Sequence, residues 1–232
     1  MRLKDIGIIL TPSFRAMAYL QKLIRNRTYP NFAIIMYGKN KNFLKSISKE
    51  NKLHYFEKFQ DFEVILKKYK VPYKKFYTQD CNDKNIINAI RSRTEKYFIY
   101  SGGGILKNEI LSLGKKFIHV HPGIVPQYRG STCIYYSILN EDRCGASAFF
   151  MSREIDAGEV IAKRVFKKPK IINIDYEYDS YIRSELLLDI IKIYIKNGKF
   201  DSQPQKIKNE ETYFIIHPVL KHLAILSCIK NL

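Results

Sequence analysis

Tyr97-Phe98-Ile99-Tyr100-Ser101-Gly102-Gly103-Gly104 and Phe117-Ile118-His119-Val120-His121-Pro122-Gly123 share one design: a short apolar run that stops at glycine or proline. Such runs suit strands buried on both faces, as in a parallel sheet. Between them, Leu106 to Leu113 has the spacing of a short helix. The same rhythm extends outward. Ile6 to Leu10 predicts a first strand, Thr11-Pro12-Ser13 a turn with helix-capping residues, and Phe14 to Arg25 a helix. Phe32 to Tyr37 predicts a second strand, Lys39 to Lys52 an exposed loop or short helix, and Tyr55 to Tyr69 and Asn82 to Arg93 two more helices. Alternation of this kind predicts an α/β fold: a Rossmann-like open, mainly parallel sheet with helices on both faces.

Farther on, Ser147 to Met151 and Val160 to Phe166 predict a strand pair joined by the loop Ser152 to Glu159. Ser180 to Lys196 predicts a long amphipathic helix, Thr212 to Ile216 a strand, and Val219 to Ile229 a helix. The polar stretch Asn197 to Asn209, which holds Gly198 and Pro204, is the nearest thing to a boundary. It divides the expected catalytic domain (1–200) from a short C-terminal strand and helix extension (201–232).

A chain of 232 residues buries about 70–75% of its unfolded surface, enough to fold without disulfides or a structural metal. Its apolar fraction of 46% excludes disorder. Cys81, Cys133, Cys144 and Cys228 lie far apart with no CxxC pair, the pattern of free thiols in a reducing, cytoplasmic setting. Cys133 stands near the motif below and is a candidate nucleophile, with packing the favoured role. The basic start Met1 to Lys4 precedes an apolar run too short for a signal peptide, and no stretch reaches the ~20 residues of a membrane span. The formal charge of +18 favours anionic partners: nucleic acid, nucleotide-linked substrates, polyglutamylated folate or a membrane surface. Abundant Lys, Ile and Asn also follow from an AT-rich genome, so the charge alone assigns nothing.

The chemistry concentrates between Phe117 and Ala162. His119 and His121 alternate with Val120 and so project from one face of a strand. They sit where that strand ends, and open α/β sheets bind ligands outside the carboxyl ends of their strands. Asp156 lies in a tight loop closed by Gly158, where a carboxylate can reach back to orient and charge an imidazole. One donor to steady an oxyanion and a carboxylate–histidine pair to manage a proton suit attack of an amine on a formyl carbon.

The run His119-Val120-His121-Pro122-Gly123-Ile124-Val125-Pro126-Gln127-Tyr128-Arg129-Gly130, with Asp156-Ala157-Gly158 beginning 35 residues after His121, resembles the folate-dependent formyltransferase family. The segments Tyr100 to Leu106 and Thr11 to Phe14 also resemble elements of that family. The likeness covers most of residues 5–200. It implies that His121 is the catalytic histidine and Asp156 its acidic partner, with His119 in the place of the family's catalytic Asn. It further implies 10-formyltetrahydrofolate as co-substrate and no metal. By the same resemblance the pterin is held by main chain around Gly104, Ile105 and Leu106 and around Ile155, Ala157 and Gly158. Arg129 and Tyr128 are substrate-binding candidates, Arg129 equally a structural ion pair. Two residues depart from the family pattern: His119 replaces Asn, and Gly123 replaces Ser.

Competing readings stay open. His-x-His with Asp156 is also a metal-ligand pattern, although no further His sits at convincing spacing. Ser101 to Gly104 lacks both GxGxxG and the Walker pattern, which leaves a turn that lets a ligand approach the backbone. His217 and His222 read as packing or surface residues. Among acceptors, the Tyr-Arg-Gly-Ser-Thr sequence and the 76 residues after Asp156 favour the amino group of a nucleotide-linked deoxysugar for surface polysaccharide. The alternatives are a short methionyl-tRNA formyltransferase, a formyltetrahydrofolate hydrolase, and an inert folate- or nucleotide-binding module. The apolar tail from Tyr213 is a candidate homodimer interface, with packing on its own domain preferred.

Overall fold

The computed structural model describes residues 1–38, 54–57, 60–206 and 212–229. The region 39–52, expected as loop or short helix, lies outside them. The chain forms two compact units, Met1–His119 and Val120–Leu232, and the division falls inside a strand.

The first unit contains β1 (Arg2–Leu10), α1 (Phe14–Arg25), β2 (Tyr29–Met36), α2 (Phe62–Lys68), β3 (Tyr73–Phe76), α3 (Lys84–Arg91), β4 (Tyr97–Tyr100) and α4 (Asn108–Leu111). It also contains most of β5 (Lys116–His121). Neighbouring strands β3-β2-β1-β4-β5 all pair in parallel. Ile6, Ile8, Ile9 and Leu10 of β1 are fully buried, as the unbroken apolar run requires of a central strand. Ser13 caps α1, its hydroxyl accepting from the Ala16 amide at 3.1 Å.

Two expectations here are corrected. The helix read over Tyr55–Tyr69 is confined to Phe62–Lys68, because Asp61 takes the cap role and accepts from the Glu63 amide at 2.7 Å. Strand β3 was not foreseen at all. Its sequence Tyr-Lys-Lys-Phe shows no buried run, since it pairs on one side only and both lysines face solvent.

The second unit contains β6 (Arg129–Gly130), α5 (Cys133–Glu141), β7 (Arg143–Phe150), β8 (Val160–Lys167), a single π-helical turn (Ile174–Tyr178), α6 (Asp179–Asn197), β9 (Thr212–Tyr213) and α7 (Pro218–Ile229). β7 and β8 pair antiparallel, as expected for the strands flanking the Asp156 loop. The main sheet has the order β3-β2-β1-β4-β5-β7-β8, so the fold is α/β and Rossmann-like, mostly parallel. α6 packs on β7 and β8 through Ile182, Leu186, Leu187, Ile190 and Ile191. Each such side chain contributes about 1.5–3 kcal/mol over an exposed one. Gly198, in the left-handed region at φ 74°, ends the helix.

The expected strand Thr212–Ile216 shrinks to Thr212–Tyr213, which pairs in parallel with β6 in a separate two-stranded sheet. No described helix is long and apolar enough to cross a membrane.

Candidate active site

β5 delivers His119 and His121 to its carboxyl end, and both are buried. His121 is 3% exposed and turns both ring nitrogens to protein acceptors. Nε2 lies 2.8 Å from the Tyr128 carbonyl oxygen, and Nδ1 lies 3.2 Å from Asp156 Oδ2. A carbonyl can only accept, so Nε2 carries a hydrogen and the exchangeable position is Nδ1, opposite the carboxylate. Asp156 Oδ2 also accepts from the Gly130 amide at 2.8 Å.

Burial holds the His121 imidazole below its ordinary value, while the Asp156 charge pulls in the opposite direction. Arg183 adds to the lowering and Asp179 opposes it. Those two side chains stand on α6, four residues apart and paired at 3.0 Å, and Arg183 also donates to the Val120 carbonyl at 3.0 Å. His121 Nδ1 is the position opposite Asp156 at which a proton can be taken up and shared with the carboxylate, the behaviour of a general base.

The loop after β5 is fixed from below by Ser147 of β7. Its buried hydroxyl donates to the Gly123 carbonyl at 2.7 Å and accepts from the Val125 amide at 3.1 Å. Gly123 lies against His121. A Cβ there would stand 2.8 Å from the Tyr128 carbonyl and 2.9 Å from His121 Nε2. The departure from serine at this position thus has a physical cause: the imidazole and its carbonyl partner fill the space. Gly123→Ser is expected to cost about 1–3 kcal/mol in urea denaturation and to displace the ring. A variant as stable as the parent would refute that account.

Gly130 adopts φ 100°, and a Cβ there would meet the Tyr213 carbonyl at 2.2 Å. Only glycine lets β6 approach β9 and present its amide to Asp156. Asp156 itself is in the left-handed region at φ 50°.

The remaining predicted residues divide between the two units. In the first, Gly104 (φ 97°), Ile105 and Leu106 follow β4, next to the point where the strand order reverses between β1 and β4. This switch point is where open α/β sheets form their crevice. Ser101 ties the two strands together, donating to the Ile9 carbonyl and accepting from the Thr11 amide. Asn82 holds the segment further along, accepting from the Lys107 amide at 2.7 Å and donating to the Ile105 carbonyl at 3.1 Å. Leu106 is buried, while Ile105 is 58% exposed.

In the second unit, Ile155, Ala157 and Gly158 belong to the Asp156 loop, with Ile155 exposed. The Tyr128 hydroxyl is committed to Glu141 at 3.0 Å and its ring stacks on Tyr213. Arg129 is buried on β6. Cys133 is buried and its thiol is pushed up to about 12, chiefly by burial, so it is no thiolate near neutrality.

His119, His121 and Asp156 offer ligand atoms that all lie within 4.8 Å of one another, and no other group of three or more such residues occurs among the described residues. Sequence reading missed Asn82, Ser147, Arg183 and Gln205. Only Arg183 left a trace, as a charge four residues from Asp179 on an otherwise apolar helix face.

Strand order and the loops at its switch point define a Rossmann-like α/β protein. A family model described as Formyl transferase matches residues 33–183, and the chain belongs to that family. The methionyl-tRNA formyltransferase of Finegoldia magna is 27% identical over 169 residues, which make up 71% of this chain and 54% of that protein. The chain thus spans about half the length of this curated relative. Among solved structures, a sugar N-formyltransferase from a Shewanella species aligns with TM-score 0.58 at 16% identity, over 96% of this chain and 87% of that one. HypX from Aquifex aeolicus in complex with tetrahydrofolic acid aligns with TM-score 0.59 at 14% identity, over 97% of this chain and 34% of that one. At these identities the structural likeness speaks for the fold.

Proposed function

We propose that the chain transfers a formyl group from 10-formyltetrahydrofolate to a primary amine, the amino group of a nucleotide-linked deoxysugar. The observation that carries the reading is the pair of buried His121 and partly exposed Asp156, 3.2 Å apart, at the two motif positions of a formyl transferase chain. The amine nitrogen attacks the formyl carbon, the bond from that carbon to N10 of the folate breaks, and the amine loses the proton that N10 gains. His121 Nδ1 and Asp156 hold this proton between the two steps. A ring N–H of His119 donates to the oxyanion, the role of the family's Asn. The main chain from Gly104 to Leu106 and the loop from Ile155 to Gly158 bind the pterin.

The acceptor assignment draws on Tyr128-Arg129-Gly130-Ser131-Thr132 and on the positive charge, which attracts a diphosphate. A second reading, methionyl-tRNA as acceptor, draws on the similarity to the Finegoldia magna protein. The test mixes purified protein, 10-formyltetrahydrofolate and a panel of nucleotide-linked amino sugars, and follows tetrahydrofolate release. Release that requires one sugar and disappears in His121→Ala supports the proposal. Release with charged transfer RNA alone, falling steeply with salt, replaces the sugar by RNA. Release without any amine overturns both in favour of hydrolysis.

A further inference from the structure

The loop that carries Asp156 is clamped by the chain beyond α6. The Gln205 side-chain amide donates both its hydrogens to this loop, one to the Asp156 carbonyl and one to the Gly158 carbonyl, each at 2.8 Å. Two residues earlier, Gln203 exchanges a pair of backbone hydrogen bonds with Val160 at 2.8 and 2.9 Å, extending the β8 end. Ser202 donates to Glu159 Oε2 at 2.7 Å. Segment 202–205 therefore runs along the loop from Asp156 to Val160 and satisfies its outward groups.

The clamp acts where the backbone needs it. Asp156 sits at φ 50°, a conformation that a non-glycine residue adopts only at some cost. Its carboxylate must meet both the Gly130 amide and His121 Nδ1. Gly158 cannot move toward β7, because its Cα already presses on the Phe150 carbonyl: a Cβ there would stand 1.6 Å away. The loop is thus blocked on one side by β7, and on the other the carbonyls of Asp156 and Gly158 are held by one side-chain amide. We infer that Gln205 is a positioning residue, which fixes the peptide planes around Asp156 and so aims its carboxylate at His121. The inference rests on the reading of Asp156 as the partner of His121, and goes beyond it by giving a residue outside the motif a share in the site.

The test compares full-length wild type with Gln205→Met, which keeps the length and loses both donors, with Gln205→Asn, whose shorter amide reaches one carbonyl at most, and with Ser202→Ala as control. Two quantities are read. The first is the titration of the His121 imidazole by NMR, which needs no acceptor. The second is the pH profile of kcat/KM for formyl transfer.

The groups facing His121 are Asp156 from the β7–β8 loop, Arg183 and Asp179 from α6, Tyr128 through its carbonyl, and His119 on its own strand. Of these only Asp156 is touched by the clamp. Loosening it removes a charge that favours the imidazolium, so the His121 midpoint is expected to fall in Gln205→Met. The acid limb of kcat/KM should follow it, with a loss of about ten- to a hundredfold in rate. Gln205→Asn should fall between, and serves alone if the methionine variant does not fold; Ser202→Ala should match wild type. Wild-type midpoint and profile in a folded Gln205 variant would overturn the inference. A shifted midpoint in a protein that formylates no amine supports it, while removing the proposed reaction.

Discussion

Asp156→Asn is expected to lower kcat/KM for formyl transfer by about two to four orders of magnitude, the range of general acid–base catalysis. The substitution is nearly isosteric, and an amide oxygen can still accept from the Gly130 amide, so the loop keeps its shape. What is lost is the charge opposite His121 Nδ1, 3.2 Å away. The sign of the pH effect follows. His121 is held below its usual value by burial, and Asp156 is the group that pulls it up. Without the carboxylate the midpoint drops further, and the acid limb of the rate profile moves to lower pH.

Stability responds in the same sense. A histidine whose folded-state midpoint is depressed costs nothing above about pH 6.5, where both states are uncharged. As pH falls through that value the unfolded chain takes up the proton and the folded one resists. The variant should therefore lose stability between neutral and mildly acidic pH more steeply than the parent. Urea midpoints measured at pH 7.5 and 5.5 check this. Unchanged activity, or an acid limb displaced upward, would remove Asp156 from the proposed role.

Gly158→Ala should have the largest effect on folding. The added methyl group would lie 1.6 Å from the Phe150 carbonyl oxygen, well inside contact distance, and the obstacle is backbone at the end of β7 rather than a flexible side chain. The Phe150 amide is bonded to the Glu159 carbonyl at 3.0 Å, so strand end and loop cannot separate without breaking the β7–β8 connection. A loss of about 3 kcal/mol or more is expected, at the upper end of overpacking costs. Activity should vanish with it, because the same loop carries Asp156. Equilibrium denaturation reads the first quantity and folate turnover the second. An alanine variant within about 0.5 kcal/mol of the parent would mean that the loop adopts another course.

The candidate site was legible in the sequence to the extent that its parts are strand ends and glycines. His119-Val120-His121 alternates on β5, and Asp156 follows in a loop between two strands that pair. Gly130 and Gly158 mark two close approaches of backbone that no side chain permits. The residues that hold these parts in register were not legible. Ser147 is one polar residue in an apolar strand, Asn82 begins a helix-like stretch, and Gln205 lies in a polar segment read as a boundary. Each works through a hydrogen bond to a backbone group more than twenty residues away in the chain. Nothing local distinguishes such a residue from a solvated one.

The sequence by itself determined the alternating architecture and the family, and it marked the strand end and loop where the candidate site is proposed. Buried parallel strands must be apolar throughout, and their ends must break, so both facts are written in single segments. Only the tertiary structure decided which way His121 faces, why a side chain at position 123 is crowded, and that residues 202–205 return to the Asp156 loop. Those outcomes depend on distances between segments far apart in the chain, where a carbonyl, an amide or the space for one methyl group selects among arrangements that the local sequence leaves equal.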